Sequence, residues 1–348
     1  MKVAAFDYEL PPERIAQEPA ARRDASRLLV LDRDTGRILH RSFPDLLDEL
    51  RPADLLVLND TEVLPARLVG EKPTGGRVEV LLVEPLDPGA APTVWRALVD
   101  GSKSLRPGTR LRFRGGIEAV ARAREGDTWS VELIQGPRAA MDAAGEMPLP
   151  PYVRRERDDP RRALDRERYQ TVYAKAPGAS AAPTAGLHFT EELLARLGER
   201  GVATACLTLH VGLGTFLPVR EDEVEAHVMH EEAFAIPPEA ASAIADCRAR
   251  GGRVVAVGTT VTRVLETVAA EPGGIRATRG RTRLFIYPGF RFRAVDALVT
   301  NFHLPRSTLL MLVCAFAGRE PVLAAYAEAL REGYRFASYG DAMFVRAA

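Results

Sequence analysis

Between Arg67 and Gln135 the chain consists of short runs in which hydrophobic and polar residues alternate. This alternation is typical of strands with one buried face, and residues typical of turns bound each run. Strands at this spacing, with no helix between them, predict an inserted all-β domain, a small antiparallel barrel or sandwich. The runs are RVEVLLVEPL, TVWRALV, TRLRF, IEAVARA and TWSVELI, and the turn pairs are Gly75-Gly76, Pro88-Gly89, Pro107-Gly108, Gly115-Gly116 and Gly126-Asp127.

Outside that stretch the pattern changes to longer helical segments and continuous hydrophobic runs. Glu191 to Glu199 and Ala240 to Arg250 have helical spacing, and each leads through glycine into a strand-like run, VATACLTLHV or RVVAVG. Helix, glycine and buried strand in repetition predict an α/β main domain with a mixed sheet. We expect this domain to be discontinuous, with residues 1–64 and 149–348 flanking the inserted barrel at 65–148.

Composition narrows the class of protein. The 348 residues contain 47 Lys and Arg against 47 Asp and Glu, so a polycation that coats nucleic acid is excluded. With 46% hydrophobic residues, disorder cannot be the main state, and the length allows about two domains. Cys206, Cys247 and Cys314 lie too far apart to predict a disulfide framework or a thiolate zinc site.

No targeting or membrane segment is expected from the pattern. The segment MKVAAFDYELPPERIAQEP contains acids and prolines, unlike the apolar core of a signal peptide. The longest apolar runs, such as Leu309 to Ala317, are shorter than the ~20 residues that span a bilayer. We therefore expect a soluble cytoplasmic protein that contacts no membrane and, since no apolar stripe is evident, a monomer.

Glycines and hydroxyl residues follow two of the predicted strands. TLHVGLGTF carries His210 directly into Gly212 and Gly214, and AVGTT places Gly258 before two threonines that open a helix. Glycine at a strand end lets the backbone approach a ligand, although the third glycine of the dinucleotide fingerprint is absent. Two such ends predict a ligand crevice at the carboxyl edge of the sheet.

Three further loops carry polar residues where elements meet. AAPTAGLHFT places His188 before a helix, and TNFHLPRSTLLML places Asn301 and His303 between a strand and a long apolar helix. Both positions are typical of functional loops, and the second indicates the same crevice, but the first is also typical of an ordinary connecting loop and the second of a capped helix start. In YRFASYGDAMFV, Asp341 lies in a turn before a last strand, where it either binds an amine or a ribose hydroxyl or holds the turn.

The segment EAHVMHEE contains two histidines three residues apart. His227 and His230 would share one face of a helix. With the neighbouring glutamates they could hold a metal, yet the H-E-x-x-H order is absent. Imidazoles near acids also serve as acid and base groups, or as structural histidines.

Arginines and aromatic residues are interleaved from Ile275 to Val295, and this segment contains no acidic residue. That composition is typical of surfaces that bind single-stranded or looped nucleic acid, although a solvated hairpin face has the same composition. The acidic stretch from Glu221 to Glu232 would better suit a cationic small molecule such as a sulfonium. The candidate nucleic-acid-binding residues are Arg279, Arg281, Arg283, Arg291, Arg293 and, in the last motif, Arg306.

Together the motifs resemble the S-adenosylmethionine:tRNA ribosyltransferase-isomerase family of queuosine biosynthesis. The resemblance covers nearly the whole chain, apart from about residues 85–145 of the insert. The segments that carry it include FDYELPPERIAQEP, NDTEVLPARLVGEKPTGGRVEVLL, PLPPYVRR, AAPTAGLHFT, LTLHVGLGTFLPV, HVMHEE, AVGTTVTRVLE, TNFHLPRSTLLMLVCAFAG and YRFASYGDAM.

The resemblance implies a two-domain enzyme and a reaction. The ribosyl part of S-adenosylmethionine, a co-substrate, would move onto 7-aminomethyl-7-deazaguanine at the tRNA wobble position, giving epoxyqueuosine, adenine and methionine. No metal and no prosthetic group is expected. A non-catalytic RNA-binding module and a histidine-carboxylate metal hydrolase are the alternatives.

This reaction needs a base near the ribose C5′ and an acid for the departing adenine, and histidine can supply both. The sequence leaves open which histidine has which role. The candidate catalytic residues are His188, His210, His227, His230 and His303. The candidate substrate-binding residues are Thr184, Gly186, Gly212, Gly214, Thr215, Gly258, Thr259, Thr260, Arg263, Asn301, Tyr339 and Asp341.

Overall fold

A computed structural model describes residues 1–86, 93–156, 159–212 and 219–347 of the chain. The predicted turn at Pro88-Gly89 and the candidate residues Gly214 and Thr215 lie outside the described residues. The strands are β1 Arg27–Asp32, β2 Ile38–Ser42, β3 Leu55–Asn59, β4 Thr61–Val63, β5 Arg67–Glu71, β6 Arg77–Pro85, β7 Val94–Asp100, β8 Thr109–Phe113, β9 Glu118–Glu125, β10 Thr128–Leu133, β11 Gly145–Glu146, β12 Ala176–Ala179, β13 Ala203–Leu209, β14 Glu232–Ile236, β15 Val254–Val257, β16 Thr278–Thr282, β17 Ala297–Asn301 and β18 Ala342–Arg346. The α-helices are α1 Leu46–Glu49, α2 Pro137–Ala144, α3 Arg161–Arg168, α4 Glu191–Glu199, α5 Pro238–Ala249, α6 Thr259–Ala269, α7 Thr308–Ala317 and α8 Arg319–Arg331.

The main sheet is mixed, with the strand order β16-β14-β13-β3-β15-β17-β18-β1-β2. Its centre, β13, β3, β15 and β17, is parallel, whereas β18 and β1 run in the opposite direction. Along β3, Leu55 and Val57 pack in one core, and Leu56 and Leu58 pack in the other. Because alternate side chains of a strand point to opposite faces, this hydrophobic run is buried from both sides.

Helices cover both faces of this sheet. Leu193 and Leu197 of α4 pack on one face, and side chains of α5 to α8 pack on the other. The Thr190 hydroxyl caps α4 by accepting from the Leu193 N–H at 3.0 Å. The chain then turns through Gly201, at φ +83°, into β13. The helix, glycine and strand pattern predicted from the sequence is therefore confirmed.

The inserted domain is a closed antiparallel barrel. Its strands follow the order β5-β6-β7-β10-β9-β8, and β8 pairs back with β5. Burial alternates along β6, β7 and β10, and each of the six strands contributes a fully buried side chain to the core: Leu68, Val80, Ala97, Leu111, Ala119 and Val131. The fold class predicted from periodicity is confirmed, whereas the exact domain limits at 64/65 and 148/149 stay a prediction.

One predicted element is wrong. His227 and His230 do not lie on a helix: a 3-10 turn covers Val224–Ala226 only, and the chain then runs without regular structure into β14. The reason is non-local, because β14 pairs with β13 on one side and with β16 on the other. Histidines three residues apart fit a helix, but pairing with two strands decides the local conformation.

Within the described ranges, no single helix is long and apolar enough to cross a membrane. Helices α7 and α8 reach that length only together, and they bend by 114° where they meet.

Candidate active site

The edge of the main sheet gathers most of the predicted polar positions. Asn59 ends β3, His210 follows β13, Gly258 follows β15 and Asn301 ends β17. Since these four strands are parallel neighbours, their carboxyl ends meet at one edge. Asp341 precedes the oppositely directed β18 and therefore lies at the same edge.

A cleft with two adjacent cavities opens at this edge. The inner cavity has a volume of about 120 Å³ and the outer cavity about 570 Å³. Tyr152, Thr259, Thr260, Ser307 and Leu309 line both, so the two cavities are adjacent. Among the predicted residues, the inner cavity is lined by Thr184, Gly258, Thr259, Thr260, Asn301 and His303, and the outer one by His227, His230, Thr259, Thr260, Arg263 and Arg306.

A hydrogen-bond chain behind the inner cavity fixes the Asn301 amide. Asn301 Nδ2 donates to the Ala337 carbonyl and to His188 Nε2, each at 3.2 Å. His188 Nε2 is thus the acceptor, and the proton of His188 lies on Nδ1, 2.7 Å from Ser26 Oγ. Burial, assisted by the positive charge of Arg335, lowers the pKa of His188 to about 3. His188 is therefore neutral at pH 7.

This arrangement leaves one acceptor of Asn301 unused. Its Oδ1 is buried and has no hydrogen-bond partner among the described residues. Buried polar atoms are normally paired, so an unused acceptor beside a cavity marks a position for a ligand donor.

His303 lines the inner cavity and is held from three sides. Its ring Nε2 lies 2.8 Å from Thr300 Oγ1. Its backbone N–H donates to the Tyr326 hydroxyl at 3.0 Å, and its backbone carbonyl accepts from the Tyr8 hydroxyl at 2.5 Å. Burial lowers the pKa of His303 to about 3. This imidazole is also neutral at pH 7.

Helix α6 points its amino end into the cleft. Gly258, at φ +96° and ψ 157°, adopts a backbone conformation that favours glycine and turns the chain from β15 into the helix. The first N–H groups of a helix lack internal partners and carry partial positive charge. Thr259 and Thr260 thus present hydroxyls and backbone donors to both cavities.

Arg263, one turn further along α6, lines the outer cavity and is buried. It forms an ion pair with Glu232 and donates from Nε to the Leu284 carbonyl at 2.9 Å. Glu232 in turn accepts from the N–H of Gly212 at 3.0 Å. Gly212 therefore contributes through its backbone.

His227 also lines the outer cavity, and it is paired with a carboxylate. His227 Nδ1 lies 3.0 Å from Glu221 Oε2, and this hydrogen bond holds the pKa of Glu221 below its usual range. The ring also meets Phe285 edge-on, with centroids 5.4 Å apart. The extended chain brings His230 to the same cavity without a helix. With Nδ1 beside Glu221, Nε2 is the ring nitrogen that can exchange a proton with a ligand.

Other predicted residues lie beside the cleft rather than along it. His210 Nδ1 is 2.8 Å from Thr61 Oγ1, and burial lowers the pKa of this imidazole. Its ring packs against Gly178, where an added Cβ would come within 2.9 Å of it. Gly186 leaves room for the Tyr173 hydroxyl, which would lie 2.1 Å from such a Cβ.

Asp341 holds the backbone in place, and Tyr339 contacts the buried ion pair of Arg155 and Asp165. Asp341 accepts from the backbone N–H groups of Arg27 at 2.9 Å and Arg335 at 2.8 Å. The Tyr339 hydroxyl donates to Asp165 at 2.9 Å. Of the two interpretations of Asp341, these contacts favour the one in which it holds the turn.

Sequence reasoning did not single out Tyr152 and Ser307, which line both cavities. The Tyr152 hydroxyl lies 2.6 Å from Ser338 Oγ. Both residues lie in segments that carry the family resemblance, PLPPYVRR and TNFHLPRSTLL. Attention to the polar residues of those segments would have found them.

The basic segment forms an exposed edge of the main sheet. Arg279 and Arg281 project from β16, the outermost strand, and alternate with Gly280 and the buried Thr282. Arg281 donates to Glu231 at 2.6 Å and lies 3.7 Å from Glu84 of the barrel. Of the six candidate arginines, Arg306 alone lines the outer cavity, where it forms an ion pair with Asp7.

Among the described residues there is no group of three or more His, Cys, Asp or Glu side chains that could hold a metal ion. This includes the neighbourhood of His227 and His230.

These features define an α/β protein with an inserted β-barrel and a ligand cleft at the carboxyl edge of its sheet. The family model described as queuosine biosynthesis protein matches residues 3–345. The chain belongs to this family.

Relatives match the chain from end to end. An S-adenosylmethionine:tRNA ribosyltransferase-isomerase of Anaeromyxobacter sp. (strain Fw109-5) is 60% identical and covers 99% of each chain. That of Geobacter sulfurreducens is 54% identical over 99% of this chain and 100% of its own. The crystal structure of an S-adenosylmethionine tRNA ribosyltransferase from Thermotoga maritima is 41% identical, has a TM-score of 0.57 and covers 98% of this chain and 99% of that one.

Proposed function

We propose that the protein is an S-adenosylmethionine:tRNA ribosyltransferase-isomerase. It transfers and isomerises the ribosyl moiety of S-adenosylmethionine onto 7-aminomethyl-7-deazaguanine at the tRNA wobble position, giving epoxyqueuosine, adenine and methionine. The observation that carries the proposal is full-length identity of 52–60% to relatives of that name. A cleft of suitable size at the sheet edge supports it.

S-adenosylmethionine extends through both cavities, with its adenine in the inner one. The aromatic rings of Tyr152 and Tyr169 are among the walls of that cavity. The unused Oδ1 of Asn301 accepts from the exocyclic amine of adenine. Thr259 and Thr260 line both cavities, and their hydroxyls suit the ribose.

The acid and base roles differ between the histidines. The sulfonium makes the ribose C5′ hydrogen acidic, and a base must remove it. His227, oriented by Glu221 at 3.0 Å, is that base. Burial lowers the pKa values of His188 and His303, so both imidazoles are neutral at pH 7. Neither is therefore an imidazolium that could protonate the departing adenine.

The second substrate is tRNA that carries 7-aminomethyl-7-deazaguanine in its anticodon loop. Its phosphates contact the exposed arginines of β16 and the segment after it, and Arg306 lies where this surface meets the outer cavity. Arginine suits phosphates because its planar fork donates two parallel hydrogen bonds. The protein acts as a monomer in the cytoplasm.

Release of adenine and methionine from S-adenosylmethionine tests the reaction. The assay compares tRNA that carries 7-aminomethyl-7-deazaguanine with the same tRNA carrying guanine. We expect both products together with the modified tRNA alone. Folded protein that binds tRNA and releases neither product would overturn the proposal and favour the RNA-binding module, whereas activity lost with a chelator would favour the metal hydrolase.

A further inference from the structure

Arg263, a residue that lines the outer cavity, has one unused hydrogen-bond donor. Only 7% of its side chain is exposed, and its Nε and Nη1 bind the Leu284 carbonyl and Glu232. Its Nη2 is buried without a hydrogen-bond partner among the described residues. The free N–H groups on Nη2 can donate to an anionic acceptor such as a carboxylate oxygen.

The other charges at the outer cavity are differently placed. Arg306 also lines it, but 58% of its side chain is exposed and it already pairs with Asp7. A charged hydrogen bond contributes more when it is shielded from water than at an exposed surface. Arg263 is therefore the better anion-binding group of the two.

Glu232 balances the charge of this arginine. Its Oε2 accepts from Arg263, and its Oε1 accepts from the Gly212 N–H at 3.0 Å. Each carboxylate oxygen can accept a second hydrogen bond. A buried cation and anion side by side thus match a ligand that carries one charge of each sign, as the amino-acid end of S-adenosylmethionine does.

We propose that Arg263 and Glu232 form the subsite for the amino-acid end of S-adenosylmethionine, with Arg263 Nη2 donating to its carboxylate and Glu232 accepting from its ammonium group. This inference rests on the proposed function. Thr259 and Arg263 are four residues apart and share one face of α6. Thr259 lines both cavities and Arg263 the outer one alone, so the methionine end occupies the outer cavity and the adenosine end the inner one.

Decarboxylated S-adenosylmethionine tests the subsite because it lacks only the carboxylate. Adenine release is measured with both compounds for the wild type, Arg263→Gln, Arg263→Lys and the control Arg248→Gln. Arg248 is a partly exposed arginine of α5 that pairs with Asp296 at 2.7 Å, outside the cleft. In the wild type we expect a KM about 10–100-fold higher for the decarboxylated compound, the range of a charged hydrogen bond.

The ratio of the two KM values separates binding from folding. Arg263→Gln should raise KM for S-adenosylmethionine and bring the ratio close to one, Arg263→Lys should restore part of it, and Arg248→Gln should keep it. An unchanged ratio in Arg263→Gln, or equal weakening of both compounds, overturns the subsite. If Arg263→Gln does not fold, Arg263→Lys takes its place: we expect its ratio to lie between one and the wild-type value, and a ratio equal to that of the wild type overturns the subsite.

Failure of the proposed function gives a different result. In that case the wild type releases no adenine from S-adenosylmethionine with the modified tRNA. Calorimetric binding of both compounds to the wild type and Arg263→Lys then tests the subsite directly. Equal affinity of the wild type for both compounds overturns it.

Discussion

His227 owes its orientation to a single carboxylate. Because Glu221 lies 3.0 Å from Nδ1, Nε2 is the nitrogen left to take a proton. We predict that His227→Gln lowers kcat for adenine release by about 10²–10⁴-fold, the usual contribution of a general base, with a much smaller change in KM. His40→Gln is the matched control, since His40 lies on β2 outside the cleft. Normal turnover in His227→Gln would assign the base to another residue.

The two neutral histidines make stability depend on pH. Their pKa values of about 3 lie below the ~6.5 of an unfolded histidine. As the pH falls below ~6.5, the unfolded chain takes up protons that the folded one does not, so the free energy of unfolding falls by up to about 1.4 kcal/mol per pH unit for each. This loss continues down to the folded pKa, and it is absent above pH ~6.5.

Chemical denaturation at pH 7.5, 6.0 and 5.0 measures this slope. We predict that His188→Gln and His303→Gln each reduce the slope below pH 6.5, whatever their effect on stability at pH 7.5. Unchanged slopes in both variants would mean that neither histidine stays unprotonated in the folded protein.

Positions at the cleft could be predicted from the sequence better than the roles of the residues that occupy them. Asn301 and Gly258 were predicted at the sheet edge because strand ends can be recognised locally, and parallel strands bring them together. The partners of His188 and Asp341 could not be predicted, because Ser26, Arg27 and Arg335 are distant in sequence. Whether a polar side chain lines a cavity or supports its wall depends on such non-local contacts.

At the scale of elements, the turn from β15 into α6 depends on one glycine. A Cβ at Gly258 would meet no atom closer than 3.6 Å, so strain at φ +96°, rather than a clash, opposes any other residue. We predict that Gly258→Ala lowers the free energy of unfolding by about 1–3 kcal/mol and raises KM for S-adenosylmethionine, because the helix start shifts.

Equilibrium denaturation and steady-state kinetics check this prediction. Gly198→Ala is the matched control: Gly198 lies within α4, where an added Cβ has nothing within 4 Å. Alanine there should stabilise the protein by about 0.5–1 kcal/mol. Equal effects of the two substitutions would contradict the role of Gly258.

Periodicity predicted elements where local pattern and pairing agree. In the barrel, burial alternates along β6, β7 and β10, and most paired strands are also consecutive in the sequence, so local pattern and final structure coincide. Around His227 the local sequence pattern and the final structure differ. The residues from Glu232 onward join a strand whose partners, β13 and β16, come from distant parts of the chain. A helix prediction based on the spacing of two histidines could not include that pairing.

At the scale of the whole molecule, the main domain and the barrel meet at β16, the edge strand that carries Arg279 and Arg281. Arg281 of β16 bonds to Glu231 and lies 3.7 Å from Glu84 of barrel strand β6. The exposed arginines of β16, the outer cavity and the barrel are therefore adjacent. An RNA loop that inserts one base into the cleft would be in a position to contact all three.

The salt dependence of tRNA binding tests whether this edge is the RNA surface. Arg279 forms no salt bridge with a residue of the described part of the chain, so phosphate can bind it without breaking an ion pair. We predict that Arg279→Gln weakens tRNA binding and reduces the slope of log K against log salt concentration by about one, as expected when one phosphate contact is lost. Arg138→Gln, at an exposed arginine of α2 in the barrel domain, should leave the slope unchanged. Filter binding at several salt concentrations distinguishes the two, and equal slopes for Arg279→Gln and the wild type would exclude Arg279 from the RNA interface.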